Sequence, residues 1–277
     1  MKVQIFILLN TFFLIFTSVG DISAFNKDLQ KIINLYSEEY QSKFTKIFKD
    51  GPIYSGDGTA YGMITHGGNC LFPKNPKDEY YNDMMFAALN HDQYYDDMGC
   101  GLCAIVVSTS NPYKPIRVRI IDQCPECEHG SLDFSDKAFK ELTNMSPSRV
   151  KITWALIPCD VEILDYPPLI EENSEIRFKF KTGSTKYWFE VQVFYTKYPV
   201  SLVEMEVNGE FYEMERKAYN YWARVEGNGV DAGEGPYTFR VTLADSSVIL
   251  AEKVEMVVPL DDEDSDYSTG EQIIIQN

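Results

Sequence analysis

A mainly β protein of two units is what this sequence predicts, and three observations carry that expectation. The length of 277 residues favours two domains over one. All six cysteines lie between Cys70 and Cys159, so one unit is stapled and the remainder is not. Beyond Pro168 the chain becomes a series of short alternating strands separated by turns, the texture of an all-β sandwich. Hydrophobic residues make up 44%, enough for a packed core in each unit.

The first element, residues 1–24, reads as a secretory signal. Lys2 supplies the positive end, an apolar run extends from Ile5 to Phe16, and small residues allow cleavage after Gly20 or Ala24. A membrane anchor is the rival reading. Asn10 and Thr11 interrupt the run and no basic stop-transfer cluster follows, which favours the signal and secretion.

Residues 25–50 carry Leu29, Ile32, Ile33, Tyr36, Tyr40, Phe44 and Phe48 at helical spacing. This helix is expected to pack on the unit that follows; a pro-segment and an oligomer contact are the alternatives. Residues 51–68 read as a loop with a short strand at Thr59–Tyr61. A helix is predicted over Asn82–Leu89, and strands over Ala104–Ser108, Ile116–Ile121 and Val150–Leu156. Ser135 is expected to cap a helix that buries Ala138, Phe139 and Leu142.

Tyr166-Pro167-Pro168 marks a linker. The strands expected after it are IRFKFK, YWFEVQVFY, LVEMEV, EFYEME, YNYWARVE, YTFRVTL and VILAEKVEMVV, with Asn208-Gly209 and Lys181-Thr182-Gly183 as turns. These readings divide the chain into 25–50, 51–164 and 165–260. The acidic residues 261–277, opening with DDEDSD, are expected to be solvated and disordered.

Net charge is −17. An acidic chain repels nucleic acid, and it disfavours acidic polysaccharides, so a neutral polymer fits better. Cys100-x2-Cys103 and Cys124-x2-Cys127, with twenty residues between them, match a zinc-ribbon spacing. Zinc would leave Cys70 and Cys159 without partners, and an exported chain meets oxidising conditions. Three disulfides are therefore expected, with about 15 pairings open on sequence alone.

Two constellations could carry chemistry. Asp122 ends a β-like run and Asp133 precedes a helix start, a pairing suited to hydrogen-bonding or protonating a sugar oxygen. The alternative is that each acid only fixes its element end. Inverting hydrolysis would need a second carboxylate about 6.5–9.5 Å away. The other constellation is aromatic: Tyr187, Trp188, Tyr219, Tyr221 and Trp222. A row of rings stacks on sugar faces, whereas core packing is the usual fate of strand aromatics, and Trp222 and Phe189 are core candidates. Tyr187 and Trp188 can share a face only at a strand end or bulge. His66, His91 and His129 show no ligand spacing, and the glycosylation pattern at Asn144 is followed by Pro147.

From about Tyr54 to Pro259 the chain resembles the expansins. The carriers, in order, are GTAYG (58–62), GGNC (67–70), MMFAALNHDQY with CGLC (100–103), IIDQCPEC with LDFS (132–135), YWFEVQV, KYPV (197–200) and EMERKAYNYW. The resemblance implies a six-stranded double-psi β-barrel followed by an immunoglobulin-like β-sandwich that binds carbohydrate, with the short N-terminal helix added. It makes Thr59, Tyr61, Asp122 and Asp133 a polysaccharide groove, with Asp133 the acid required for activity. Tyr187, Trp188 and Tyr219 become a cellulose platform. The pairs implied are Cys70–Cys100 and Cys103–Cys159, leaving Cys124–Cys127. Cys124 stands where bacterial members carry tyrosine, and Tyr187 where they carry tryptophan.

Related family-45 hydrolases place a catalytic base just after the first-strand tyrosine. Here Tyr61 is followed by Gly62, Met63 and Ile64, and Asp57, the nearest substitute, precedes the expected strand. No residue is therefore assigned a catalytic role. The function the resemblance implies is non-hydrolytic: a monomer, secreted to the extracellular matrix or cell wall, that binds cellulose or a related neutral glucan and loosens wall or matrix polysaccharides, needs neither metal nor cofactor and touches no membrane after signal cleavage. A weak endoglucanase or transglycosylase-like enzyme on the same barrel, and an inert matrix protein, are the alternatives.

Overall fold

A computed structural model describes residues 34, 36–44, 47, 53–62, 67–74, 85–95, 97–109, 111–159, 169–170, 174–224, 233–261 and 266–275, and only the backbone of 111–113. The signal-like segment, the sequence from Phe25 to Ile33, and the linker at 166–168 lie outside the described residues.

Six strands close into a barrel: β1 (Ile53–Gly62), β2 (Phe86–Asn90), β3 (Cys103–Ser108), β4 (Asn111–Cys124), β5 (Leu132–Ser135) and β6 (Val150–Ile157). The order around the barrel is β1-β5-β2-β4-β3-β6. Two neighbouring pairs, β1–β5 and β2–β4, are parallel. β3 reads CAIVVS and is buried along its whole length. Such continuous apolarity is expected of a strand covered on both faces. The mainly β architecture agrees with the sequence reading, but the helix expected over Asn82–Leu89 does not form. Phe86–Asn90 is strand β2, and residues 81–84 lie outside the described set. A five-residue apolar run cannot be told from a buried helix by periodicity, and ladder partners on both sides decide in favour of the strand. The strand expected at Thr59–Tyr61 is longer, running from Ile53 to Gly62.

A short helix, α2 (His91–Tyr94), follows β2, and α3 (Asp136–Thr143) follows β5. Ser135 caps α3 by accepting a hydrogen bond from the Ala138 N–H at 3.3 Å, and Ala138, Phe139 and Leu142 are buried. Trp154 is fully buried, donates its indole N–H to the Gly130 carbonyl at 2.8 Å and packs its ring 4.3 Å from Tyr54. Gly130 holds a φ of +80°, and a Cβ there would lie 2.4 Å from the Ser55 carbonyl oxygen, so only glycine permits this crossing. Disulfides join Cys70–Cys100, Cys103–Cys159 and Cys124–Cys127. No free cysteine is left among them, so no thiolate set is available to zinc.

Two antiparallel sheets follow. The four-stranded sheet contains β7 (Arg177–Phe180), β8 (Glu190–Phe194), β11 (Glu215–Lys217) and β12 (Tyr221–Ala223), in the order β11-β12-β8-β7. The five-stranded sheet contains β9 (Val200–Val207), β10 (Glu210–Glu213), β13 (Tyr237–Leu243), β14 (Val248–Val254) and β15 (Glu271–Ile275), in the order β10-β9-β13-β14-β15. In β13, YTFRVTL, every second residue is buried. Phe178 stacks on Phe239 at 5.2 Å, tying one sheet to the other. Asn208 and Gly209 both hold positive φ, 55° and 83°, as a two-residue hairpin between β9 and β10 requires.

The disorder expected over 261–277 does not extend through that segment. β15 pairs with β14 from Glu271↔Glu252 to Ile275↔Val248, and Ser268 bridges to Phe178. The run of acids ahead of β15 hides a strand signal of only five residues.

Among the described residues of the expected helical segment 25–50, α1 spans Glu38–Lys43, with Ser37 accepting from the Tyr40 N–H at 3.1 Å. It packs on both units. The Ser37 N–H donates to the Ala244 carbonyl at 2.6 Å, and Tyr36 meets Tyr198 edge-on at 5.7 Å, both on the sandwich side. On the barrel side the Tyr40 hydroxyl donates to the Met98 carbonyl at 2.7 Å, Phe44 stacks on Tyr95 at 6.3 Å, and the Tyr54 hydroxyl donates to the Ile47 carbonyl. Within the same seam, Arg216 of β11 donates to the fully buried Asp97 from Nε at 2.8 Å and to the Asp97 carbonyl at 3.1 Å.

Candidate polysaccharide site

Register places the groove residues in a row. Thr59 on β1 lies opposite Asp133 on β5; Asp133 lies opposite Ala88 on β2; Ala88 lies opposite Asp122 on β4. Residues opposite one another in a ladder project to the same face. Four adjacent strands thus present Thr59, Asp133, Ala88 and Asp122 side by side. The two acids are two strand spacings apart, about 10 Å at Cα. Only a methyl group stands between them.

The Thr59 hydroxyl donates to Asp133 Oδ1 at 2.5 Å. Asp133 is half-buried, and burial pushes its carboxyl above the usual range. The Thr59 hydrogen bond opposes this, the Glu126 charge adds to it, Arg149 subtracts, and Asp122 adds a final increment. Asp122 is held differently: its Oδ1 accepts from the backbone N–H groups of Asn69 at 2.7 Å and Gln123 at 2.8 Å. The GGNC turn makes this clasp. Gly68, at φ +59°, sits so close that a Cβ would lie 2.4 Å from the Ile121 carbonyl oxygen and 2.8 Å from Asp122 Cβ.

Tyr61 ends the row of odd-numbered β1 residues. Its hydroxyl is buried with no hydrogen-bond partner among the described residues. Burial, and then the negative charges of Asp122 and Asp133, push its titration upward, so the phenol stays a proton donor beside both acids. Asp57 does not precede the strand as the sequence implied. It lies within β1, two residues before Thr59 on the same face. Its carboxylate is gripped by Lys151 at 2.5 Å and Arg149 at 2.9 Å, and hydrogen bonding to Lys151 first, then Arg149, holds it below the usual range. Glu126, which sequence reasoning passed over, is exposed on the four-residue Cys124–Cys127 loop, and its charge reaches Asp133. Its place in a tight loop between the two acids was the available signal.

The aromatic residues divide into a buried and an exposed set. Trp222 and Phe189 are buried in the sandwich. Tyr187 is 74% exposed and Trp188 42%. Both escape alternation because they precede β8, in a turn closed by paired hydrogen bonds between Thr185 and Trp188 at 2.7 and 3.1 Å. Tyr219 lies between β11 and β12. Its hydroxyl is 2.9 Å from each oxygen of Glu190, and the Lys181 ammonium, which donates to Glu190 at 2.9 Å, lies 4.2 Å from the Tyr219 ring centre.

The loop that clasps Asp122 is hydrogen-bonded to the segment that carries Tyr219. Asn69, whose N–H clasps Asp122, donates from Nδ2 to the carbonyl of Ala218 at 3.2 Å, one residue before Tyr219. Gln192 and Asn220 both donate to the Cys70 carbonyl, at 2.8 and 3.1 Å. Segments next to Asp122 and Tyr219 therefore meet across the seam between the two units.

No family model matches the chain. It is 26% identical over 191 residues to the expansin YoaJ of Bacillus subtilis (strain 168), across 69% of this chain and 73% of that protein. The crystal structure of the apo expansin of Clavibacter michiganensis superposes with a TM-score of 0.60 at 23% identity, covering 78% of this chain and 95% of that one. A mutant of the Clavibacter michiganensis expansin in complex with cellohexaose gives 0.61 at 22% identity, with the same coverage.

Proposed function

We propose, for a chain that resembles the expansins in sequence and in fold, that it is a non-hydrolytic glucan-binding protein. Its groove and platform grip cellulose or a related neutral polymer and weaken contacts between chains. Tyr187, Trp188 and Tyr219 stack on sugar faces. Thr59, Tyr61, Asp122 and Asp133 hydrogen-bond hydroxyl groups in the groove. Residues 51–164 form the groove unit, and 165–260, extended by β15, the platform unit.

The observation that carries this reading is the Asn69 link, which ties the backbone clasp on Asp122 to the segment bearing Tyr219. It supports one continuous binding surface. The state of the acids supports the absence of cleavage. A protonated Asp133 can donate a hydrogen bond, but bond cleavage also needs a base that activates water. Asp57 is clamped by two cations and holds its proton weakly. Asp122 spends one oxygen on two backbone donors. Residues 1–24 as an export signal, with all six cysteines oxidised, fit action outside the cell.

The test is incubation of the protein with insoluble cellulose, followed by analysis of the supernatant. Binding without soluble sugar, weakened by Trp188→Ala, is expected; Asp133→Asn should abolish loosening and leave binding in place. One observation favours an endoglucanase instead: Glu126 is an acid whose charge reaches Asp133. New reducing ends that vanish in Glu126→Gln would establish that reading and overturn the non-hydrolytic one.

A further inference from the structure

Glu190 is an anomaly in its strand. It opens β8, whose neighbours Phe189 and Val191 face the sandwich core at 0% exposure. Alternation puts Glu190 on the opposite face, and its hydrogen bonds to Tyr219 make that the side of Tyr219. Even there it is only 4% exposed. A carboxylate this buried is tolerated only when it is paired and hydrogen-bonded. One partner, Tyr219, belongs to the proposed platform, and the other, Lys181, lies against the Tyr219 ring. The Tyr219 hydroxyl lies 2.9 Å from each carboxylate oxygen, and Lys181 donates to Oε2 at 2.9 Å.

The geometry gives each partner a task. A tyrosine ring turns about its χ angles unless its hydroxyl is anchored, and a bidentate acceptor fixes both the direction of the O–H and the ring behind it. The Lys181 ammonium, held by the same carboxylate, lies 4.2 Å from the Tyr219 ring centre, a cation–π distance. A cation over one face leaves the other free to stack. The same ammonium is 5.7 Å from the ring of Tyr221, which is buried, and Tyr219 and Tyr221 lie 6.0 Å apart. The cation is thus on the inward side and the open face of Tyr219 is the outward one.

We propose that Glu190 is the positioning residue of the platform: it anchors Tyr219 through its hydroxyl and holds Lys181 against the inner face of the ring, so that the outer face alone meets sugar. Glu190 itself does not touch the polymer. This rests on the glucan-binding reading above. It predicts that the hydroxyl of Tyr219, which adds nothing to stacking area, nevertheless matters for affinity, and matters only while Glu190 is present.

The experiment is a double-mutant cycle in the full chain with Glu190→Gln and Tyr219→Phe. Affinity is read for cellohexaose by calorimetry and for insoluble cellulose by depletion, and folding is checked by near-UV circular dichroism. Each single change is expected to weaken binding about 3–10-fold, and the double variant should be no weaker than the worse single one. Multiplying effects, or a Glu190→Gln protein that binds as the parent does, would overturn the proposal. A Glu190→Gln protein with altered near-UV signal is replaced in the cycle by Glu190→Asp, whose carboxylate is one methylene too short to reach Tyr219, and the same two outcomes decide. Trp188→Ala runs alongside. If Trp188→Ala leaves binding unchanged, the platform reading fails and this inference with it; if it weakens binding while the Glu190 cycle is additive, only the inference fails.

Discussion

Removing the Thr59 hydroxyl should move the proton on Asp133 in a direction that a merely structural threonine would not. Thr59 donates to Asp133 Oδ1 at 2.5 Å and favours the ionised carboxyl, while burial, the larger influence, favours the neutral one. Thr59→Val keeps the β-branched shape in β1 and deletes only the donor. A hydrogen bond to a charged group contributes about 1.5–3 kcal/mol, and a half-buried site warrants the lower end. With about 1.4 kcal/mol per pKa unit, the Asp133 midpoint should climb by about one unit. Titration of the side-chain carboxyl carbon by NMR measures it directly. The sign for stability follows. The folded-state carboxyl already titrates above its ordinary value of 3.8, so folding favours its neutral form. Its contribution is fully favourable below that value and is lost as pH rises through the folded-state midpoint. Loosening activity that needs the protonated acid should fall over the same window, and in Thr59→Val the fall should occur at higher pH. A midpoint that stays or moves down would refute the assignment of Thr59 as the group that partly restrains Asp133.

Other perturbations have equally definite outcomes. Arg216→Met leaves Asp97 buried without its guanidinium, which should cost about 3–5 kcal/mol in urea denaturation; a loss under about 1 kcal/mol would contradict the seam described. Replacing Cys124 and Cys127 by serine should cost about 1.5 kcal/mol, since the bridge spans a separation of 3, whereas Cys103 and Cys159, separated by 56, should cost about 4 kcal/mol. Paired melting curves under identical conditions compare the two. Tyr40→Phe removes the donor to Met98 and should cost about 1 kcal/mol, read as a fall in melting temperature of about 2–4 °C.

What could be read in the sequence was whatever depended on local pattern. YTFRVTL alternates, and β13 alternates in burial with it. Ser135 three residues ahead of Ala138 spelled a cap. The strand expected from Tyr187 begins only at Glu190, so Tyr187 and Trp188 lie ahead of β8, outside the regular strand whose alternation would have kept them on opposite faces. Longer-range facts escaped. The run ending in FAALN is as apolar as a helix core, and only its ladder partners make it β2. Asp97 and Arg216 are 119 positions apart, so nothing local announces their pairing. Glu190 looked like one more charge in an alternating strand, and only its burial sets it apart. β15 was lost behind a run of acids.

Helix α1 has a mechanical consequence. Under the function proposed above, a polymer held by the groove at one end and by the rings at the other would pull the two units apart whenever it was strained. A free hinge would absorb that strain by swivelling. Here Tyr40 and Phe44 rest on the barrel while Ser37 and Tyr36 hold the sandwich, with Arg216 and Asp97 locked in the same seam. Tension on a glucan strand would therefore reach the bonds between polymer chains instead of dissipating in the protein, as it does through a rigid crowbar.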